Sequence, residues 1–175
     1  SPFPFADSQG KGGKAGTHRC PPHSHDAGPP RRIQKFVQGF AECPVTYNEW
    51  EETVPDEIRR DQLWSLRVYR ASLYSGDVAR EDGRVLVHDP LTIEIAAQLV
   101  RAVGAVSANI AAGYSRFARR DRVQSYESAL GSAREGRDWY FHGRGVLGEQ
   151  LVLHRVATLG GIARVLIVLI SRARV

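Results

Sequence analysis

The sequence has no methionine and only two cysteines, Cys20 and Cys43. Both cysteines precede the region with helical periodicity, so they provide no disulfide framework for a core, and their scarcity suits a reducing cytoplasm. An initiator methionine is absent, and so is a basic segment followed by an apolar stretch. We therefore predict no secretory signal, expect a trimmed or partial reading frame, and place the protein in the cytoplasm.

Long apolar runs are also missing. The longest candidate, residues 165–170, is bounded by Arg164 and Ser171, and it is shorter than the roughly 20 residues that a membrane-spanning helix needs. We therefore expect no membrane contact. The 175 residues, 42% of them hydrophobic, suffice for one domain with a sizeable core and an additional tail.

The patterns that carry catalysis or metal binding are absent too. A metal enzyme on a helical bundle needs Glu-x-x-His pairs on two helices, but Glu135 and Glu149 are not followed by histidine at the third position. No Gly-x-x-x-x-Gly-Lys-Ser/Thr phosphate loop occurs. The N-terminal region holds four potential zinc ligands at a spacing too tight for a zinc finger. They are His18, Cys20, His23 and His25. We predict a protein that is not an enzyme, with no cofactor and no metal site.

Residues 1–44 differ in composition from the rest of the chain. They are rich in glycine, proline, serine and histidine and show no periodic apolar face, so we expect a flexible tail. The pattern changes at Thr46. Thr46 and Glu49, three residues later, match a capping box and predict a short helix, which Pro55 ends.

Four longer helices follow, each predicted from apolar residues at three- and four-residue spacing. Their predicted ranges are 57–79, 91–114, 121–142 and 149–172. Short segments connect these amphipathic helices, and strand-like alternation is nearly absent. This succession is typical of an antiparallel up-down-up-down four-helix bundle, so the predicted fold is all α, with a domain over residues 45–175.

Glycine and capping residues mark the predicted helix ends. Gly76 and Gly83 weaken the periodicity after the first long helix. An Asp89-Pro90 pair precedes the second, and Asp121 is suited to cap the third. Within the second helix, small residues allow a neighbouring helix to approach closely. They are Gly104, Ser107 and Ala111.

The second and third helices carry a recognisable pattern. Residues 105–113 read Ala-Val-Ser-Ala-Asn-Ile-Ala-Ala-Gly, and the helix that follows adds a tyrosine, a small-residue segment and a glutamate. This resembles the signature of the small four-helix-bundle proteins encoded by intervening sequences in bacterial 23S rRNA genes. That family typically has Ser-Ile-Pro-Ala-Asn-Ile-Ala-Glu-Gly, so Ser107 replaces a proline and Ala112 a glutamate. The matching residues are Asn109, Gly113, Tyr114, Tyr126 and Glu135.

The resemblance covers roughly residues 47–172 and implies a binding or scaffolding role. The fold is shared with accessory proteins of diversity-generating retroelements, which bind reverse transcriptase and nucleic acid through basic surfaces, and known members form five-subunit rings. For this chain the resemblance implies a homopentamer with RNA or a reverse transcriptase as partner. Structural roles are implied for the matching residues, and we expect Asn109 and Glu135 to hydrogen-bond between helices.

Charge is distributed unevenly along the chain. The formal net charge is +5, yet residues 45–90 carry a net charge of −4, whereas residues 116–144 and 145–175 carry +3 each. Two explanations are open: a nucleic-acid footprint, or mutual screening of neighbouring helices or subunits.

Seven arginines that follow the second long helix are the candidate nucleic-acid-binding residues, because guanidinium groups bind phosphates through paired N–H donors. They are Arg116, Arg119, Arg120, Arg122, Arg134, Arg137 and Arg144. Tyr114 and Phe117 lie beside the first of them and offer base stacking. In the alternative, these arginines form salt bridges between subunits, and the protein is an interaction scaffold that binds no nucleic acid. The acidic residues proposed for those salt bridges are Glu49, Glu51, Glu52, Asp56 and Glu57.

Overall fold

The computed structural model describes residues 46–174. These residues form seven α-helices and one 3-10 turn, with no strand among them. In chain order the elements are α1 (Tyr47–Thr53), α2 (Asp56–Arg59), the 3-10 turn (Gln62–Ser65), α3 (Arg67–Leu86), α4 (Ile93–Tyr114), α5 (Arg119–His142), α6 (Arg144–Leu147) and α7 (Glu149–Arg174). The predicted all-α fold is confirmed. The predicted tail, both cysteines and the histidine cluster lie outside the described residues.

The four long helices pack in chain order. α3 packs on α4, α4 on α5 and α5 on α7, while α7 meets α3 over a smaller area. Short connections make successive helices antiparallel. The ends of α4 and α7 therefore lie beside the starts of α3 and α5. The centre of the core consists of fully buried residues from all four helices, such as Leu86, Leu99, Ile110, Leu159 and Tyr140.

The first long helix begins later than predicted. The range 57–79 is wrong at its start because the chain first forms α2 and the 3-10 turn. The Asp61 side chain accepts a hydrogen bond from the Leu63 amide at 2.7 Å, and this local side-chain contact competes with a continuous helix. Leu63 nevertheless packs into the core, as its place in the apolar pattern suggested.

The same helix also ends later than predicted, because its glycines allow close packing instead of ending the helix. A Cβ at Gly83 would lie 2.9 Å from Val100 Cγ2 on α4, and a Cβ at Gly76 would lie 3.8 Å from the Cα of Gly104. The two backbones approach each other at these positions. The close approach predicted for Gly104 is thus found opposite another glycine.

The predicted starts of the next two helices are each displaced by two residues. Asp89 Oδ1 accepts a hydrogen bond from the Leu91 amide at 2.9 Å and closes a turn, so Thr92 becomes the N-cap of α4. The N-cap of α5 is Ala118, which has no capping side chain. Asp121 therefore lies in the first turn, where its charge favours the helix dipole.

The short helix α1 is fixed to α3 by a buried tryptophan. Its predicted capping box is present: the Thr46 amide donates to Glu49 Oε2 at 2.6 Å, and the Glu49 amide donates to Thr46 Oγ1 at 3.4 Å. Trp50 Nε1 donates to Asp77 Oδ2 at 2.8 Å. The Trp50 ring also meets the Tyr74 ring edge to face at 5.3 Å.

A buried polar network joins α3, α5 and α7. Asp82 Oδ2 accepts hydrogen bonds from the Tyr140 hydroxyl at 2.8 Å and from Arg155 Nε at 2.9 Å. Burial, followed by the adjacent Asp82 carboxylate, raises the pKa of Tyr140 well above its ordinary value. Burial lowers the pKa of Arg155, but the hydrogen bond and charge of Asp82, with smaller contributions from Tyr140 and Tyr74, outweigh it, so the net shift is upward and Arg155 stays charged.

Two of the long helices, α4 and α7, are long and apolar enough to cross a bilayer by length and composition. Their most apolar windows have mean hydropathies of 1.4 and 1.8. The core helix of a soluble protein meets the same criterion, so the finding is weak evidence. Only 28% of the most apolar window of α7 is buried within the chain. Many apolar residues of α7 therefore lie on the surface of the bundle.

Candidate nucleic-acid interface

One end of the bundle gathers arginines from two helices. Arg119 and Arg120 begin α5, Arg116 lies in the turn before it, and Arg174 ends α7. Arg119 Nη1 donates to the Arg174 carbonyl oxygen at 3.4 Å, which brings the two helix ends together. We call these four arginines the basic end.

A groove of about 630 Å³ opens between the start of α5 and the end of α7. It is lined by Arg119, Arg120, Val123, Gln124, Glu127 and Arg174. Arg174 forms an ion pair with Glu127, which neutralises the carboxylate inside the groove. The charge left over is that of Arg119 and Arg120, so the groove suits an anionic group such as phosphate.

Arg122 has a different role from its neighbours. Its Nε and Nη2 donate to the Arg116 carbonyl oxygen at 3.1 and 2.9 Å, and Nη2 also reaches the Phe117 carbonyl oxygen at 3.5 Å. These contacts close the turn between α4 and α5. Arg122 therefore stabilises the turn that presents Arg116, although part of its charge stays at the surface.

A second groove, of about 530 Å³, lies on the other side of this turn. It is lined by Asp61, Gln62, Tyr114, Ser115, Arg116, Phe117 and Arg122. Phe117 is 99% exposed and Tyr114 is also exposed. The aromatic rings expected beside the arginines are thus accessible, as base stacking requires.

The seven predicted arginines do not form one patch. Arg134 and Arg137 lie farther along α5, and Arg144 begins α6 beyond its C-terminal end. The axial rise of a helix places the far end of α5 about 30 Å from Arg119. The candidates therefore divide between the basic end and the opposite end of the bundle.

What the seven arginines share is the lack of an ionic partner. Within residues 46–174, none of them forms a salt bridge. Eight other arginines do: Arg59, Arg60, Arg70, Arg80, Arg84, Arg101, Arg155 and Arg174. Several acids of the first third are therefore neutralised by arginines close to them in sequence, and none by the candidate residues.

The motif residues Gly113 and Tyr126 contact each other between α4 and α5, at the side of the turn. Both are buried, and burial raises the pKa of Tyr126 while nearby Arg122 lowers it by less. Asn109 is half-buried one turn earlier. Asn109 forms no hydrogen bond with another described residue, so the interhelical hydrogen bond expected for it is not found in the described part of the chain.

Glu135 does join the two helices. Its Oε1 accepts hydrogen bonds from Arg101 Nη2 on α4 and from Trp139 Nε1 on its own helix, both at 3.3 Å. The network of Asp82, Tyr140 and Arg155 leaves no pattern in the sequence, since Tyr140 and Arg155 follow Asp82 by 58 and 73 positions. For residues 46–174, no cluster of three or more histidine, cysteine, aspartate or glutamate side chains suited to a metal ion is found.

The fold is similar to that of a solved structure. A crystal structure of a protein of unknown function from the S23 ribosomal protein family of Bacteroides thetaiotaomicron matches with a TM-score of 0.56 and 20% sequence identity. The match covers 59% of this chain and 97% of that one. No protein-family model and no curated protein sequence matches the chain. At this identity the likeness shows the fold, which is the one that the motif at residues 105–113 implied.

Proposed function

We propose that this chain is a non-catalytic, self-assembling helical bundle that binds nucleic acid, RNA above all, through the basic end. The observation that supports the proposal is the set of arginines without ionic partners beside a groove of about 630 Å³. Guanidinium groups that no carboxylate neutralises attract phosphates and release counterions when they bind them. The exposed rings of Phe117 and Tyr114 add stacking surfaces next to that charge.

Self-assembly is supported by the outer face of α7. Leu153, Val165 and Val168 share this face with the small residues Ala157 and Gly161, at three- and four-residue spacing. Arg164 lies on the same face, with its guanidinium beside Gly161. Leu153 is 64% exposed, and both valines are about half exposed. An apolar face on the outside of a bundle favours burial against another subunit. We propose a homopentameric ring, with a reverse transcriptase as a candidate protein partner, as the family resemblance implies.

A second function, that of an interaction scaffold, is favoured by the acids of the N-terminal helices. Glu52 and Glu57 are exposed and form no salt bridge within the described part of the chain. In an assembled ring they would be available to the basic end of a neighbouring copy. The unpaired arginines would then be consumed by subunit contacts, and nucleic acid would not bind.

The test compares two double variants by fluorescence anisotropy with a labelled RNA. Arg119→Ala with Arg120→Ala removes the two charges of the groove. Arg80→Ala with Arg84→Ala is the matched control, since it removes two exposed arginines from α3, where each pairs with a nearby acid. Titrations from about 50 to 200 mM salt should show that the first pair lowers the slope of log affinity against log salt by about 1.4.

The outcomes separate the two functions. Weaker RNA binding and a smaller salt slope in the Arg119/Arg120 variant alone support nucleic-acid binding. If RNA never binds and the same variant loses subunits in light scattering, the scaffold is correct and the nucleic-acid proposal is wrong. Arg122 is left unchanged in this design because its loss would disturb the turn.

A further inference from the structure

The last turn of α5 exposes a row of rings at the end of the bundle opposite the basic end. Phe141 is 55% exposed, His142 is exposed, and Trp139 is half-buried. The centroids of the Trp139 and His142 rings are 5.7 Å apart, and those of Phe141 and His142 are 6.3 Å apart. We call these three residues, together with Arg144, the aromatic strip.

Arg144 lies over the Phe141 ring of this strip. Its guanidinium carbon lies 4.0 Å from the centre of the Phe141 ring, and Nη1 donates to the Phe141 carbonyl oxygen at 2.8 Å. The side chain is nevertheless exposed. Of the carboxylates in residues 46–174, none forms a salt bridge with Arg144. A planar cation that is not neutralised therefore lies next to an exposed ring.

Two more arginines lead up to the strip along α5. Arg134 is exposed and precedes Phe141 by seven residues, so the two share one helix face. Arg137 is half-buried, and its Nε is a buried atom without a hydrogen-bond partner in the described residues. An anion that docks along this face therefore meets Arg134 and only the accessible part of the Arg137 guanidinium.

The carboxylates nearby do not cancel this charge. Glu135 is committed to Arg101 and to Trp139 Nε1. Asp138 is exposed and lies between the arginines. Glu149, which is exposed five residues after Arg144, also forms no salt bridge in the described residues. Between residues 134 and 149, two carboxylates without an ion pair therefore stand against three arginines without one, and their net charge is +1.

We infer that the aromatic strip binds an unpaired strand of nucleic acid. One base stacks on Phe141 and Arg144, a neighbouring base stacks on His142, and Arg137 binds the phosphate backbone. Exposed rings and stacked guanidinium planes offer flat faces, and only unpaired bases have flat faces free to meet them, because duplex bases cover one another. The inference rests on the proposed function, since it gives the same partner a second contact and specifies that its bases are single-stranded there.

The experiment measures binding of Phe141→Ala to a labelled oligouridine, to oligothymidine of equal length, and to an abasic strand of equal length. Stacking of one base is worth about 1 to 3 kcal/mol, so the variant should bind the two base-containing strands roughly five- to 150-fold more weakly. The salt slope should not change, because no phosphate contact is lost. The unmodified protein should bind the abasic strand at least as weakly as the variant binds oligouridine, because an abasic strand loses every stacking contact. Oligouridine and oligothymidine together show whether the strand is RNA, DNA or either.

Two further variants control for trivial causes. Phe141→Trp keeps a stacking face and should restore binding. Leu91→Ala removes an apolar side chain that is 88% exposed at the same end of the bundle, and should leave binding unchanged. Circular dichroism of each variant should match that of the parent, because Phe141 and Leu91 are surface residues.

The results distinguish this inference from the proposed function. If Phe141→Ala binds oligouridine as tightly as the parent while the Arg119/Arg120 variant is weakened, only the aromatic strip is refuted. If Phe141→Ala is weakened and the Arg119/Arg120 variant is not, the strip stands and the basic end is refuted. Base stacking would also be refuted if Phe141→Ala weakened binding of the abasic strand by the same factor as binding of oligouridine. Failure of the parent to bind any strand overturns both proposals.

Discussion

The ring of Tyr126 lies directly against the backbone of Gly113. A Cβ at position 113 would be 2.5 Å from Tyr126 Cε1 and 2.6 Å from Cδ1, distances that real Cβ atoms do not reach. This contact explains two residues of the motif with one physical reason: α4 needs a residue without a side chain where the aromatic ring of α5 crosses it. It also joins the two helices just beside the turn that carries Arg116.

Replacement of Gly113 by alanine is therefore expected to destabilise the bundle. The added methyl group forces the Tyr126 ring or the helices apart, and overpacking of this kind costs about 1 to 3 kcal/mol. Urea unfolding followed by circular dichroism measures the loss. Gly131→Ala is the matched control, because Gly131 is exposed on α5 and a Cβ there meets no atom within 4 Å. It should stabilise the helix by about 0.5 to 1 kcal/mol. Equal effects of the two changes would contradict this account of the motif.

Loss of Asp82 is expected to be more damaging than loss of an exposed acid. Asp82→Ala leaves the buried Arg155 cation unpaired and the Tyr140 hydroxyl without its acceptor. Removing one partner of a buried ion pair costs about 3 to 5 kcal/mol. Asp138→Ala, on the exposed side of α5, should change the free energy of unfolding by less than about 0.5 kcal/mol. If both variants unfold at the same urea concentration, Asp82 does not stabilise the fold in the way described.

Tyr140 is expected to be the last tyrosine to ionise. Burial and the neighbouring Asp82 raise the pKa of its hydroxyl above the ordinary value near 10. The native state keeps this proton after the unfolded chain has released it, so the contribution to stability is full below about pH 10 and falls as the pH rises further. Tyrosinate absorbance should show a final step that coincides with unfolding, and Tyr140→Phe should remove that step. Ionisation of all tyrosines before unfolding would contradict the buried hydrogen bond.

The helices of this chain could be predicted where periodicity, caps and small residues agree. α4 is the clearest case, because apolar residues recur along its whole length and Gly104 lies opposite a glycine of α3. The end of the first long helix was harder to predict. A glycine such as Gly83 can end a helix or allow a neighbouring helix to pack closely, and the sequence looks the same in both cases. The position of Val100 on α4 shows that Gly83 allows close packing, and that position depends on the tertiary structure.

The candidate site was predictable in composition but not in grouping. The seven arginines chosen from the sequence for their place after the second long helix form no salt bridge in the described residues, but Arg67, Arg164 and Arg172 form none either. The sequence did not separate Arg122, which closes a turn, from Arg119, which lines a groove. Nor did it show that Arg144 lies at the other end of the bundle. Those distinctions depend on the direction of each side chain along α5 and on which helix ends pack together. The spacing of residues in the sequence specifies neither.

The outer face of α7 leads to the last prediction, which concerns assembly. Leu153→Asp with Val168→Asp puts two charges on a face that carries Arg164 among apolar and small residues over about four turns. If this face is buried between subunits, the double variant loses the burial of two apolar side chains. It must also desolvate two carboxylates when the subunits associate. The loss should be at least about 3 kcal/mol per interface. Size-exclusion chromatography with light scattering should then report a smaller particle with unchanged helix content.

The control for assembly is Leu91→Asp, since Leu91 is more exposed than any residue of the α7 face but lies on the connection between α3 and α4. It should leave the mass of the particle unchanged.

Sedimentation with anionic vesicles tests the alternative that the apolar face of α7 binds a lipid surface instead of another subunit. If the α7 variant keeps the parent mass but loses vesicle binding, α7 contacts lipid and the ring is wrong. If it loses mass and the parent never sediments with vesicles, the subunit interface lies on α7, and its stability then depends on protein concentration.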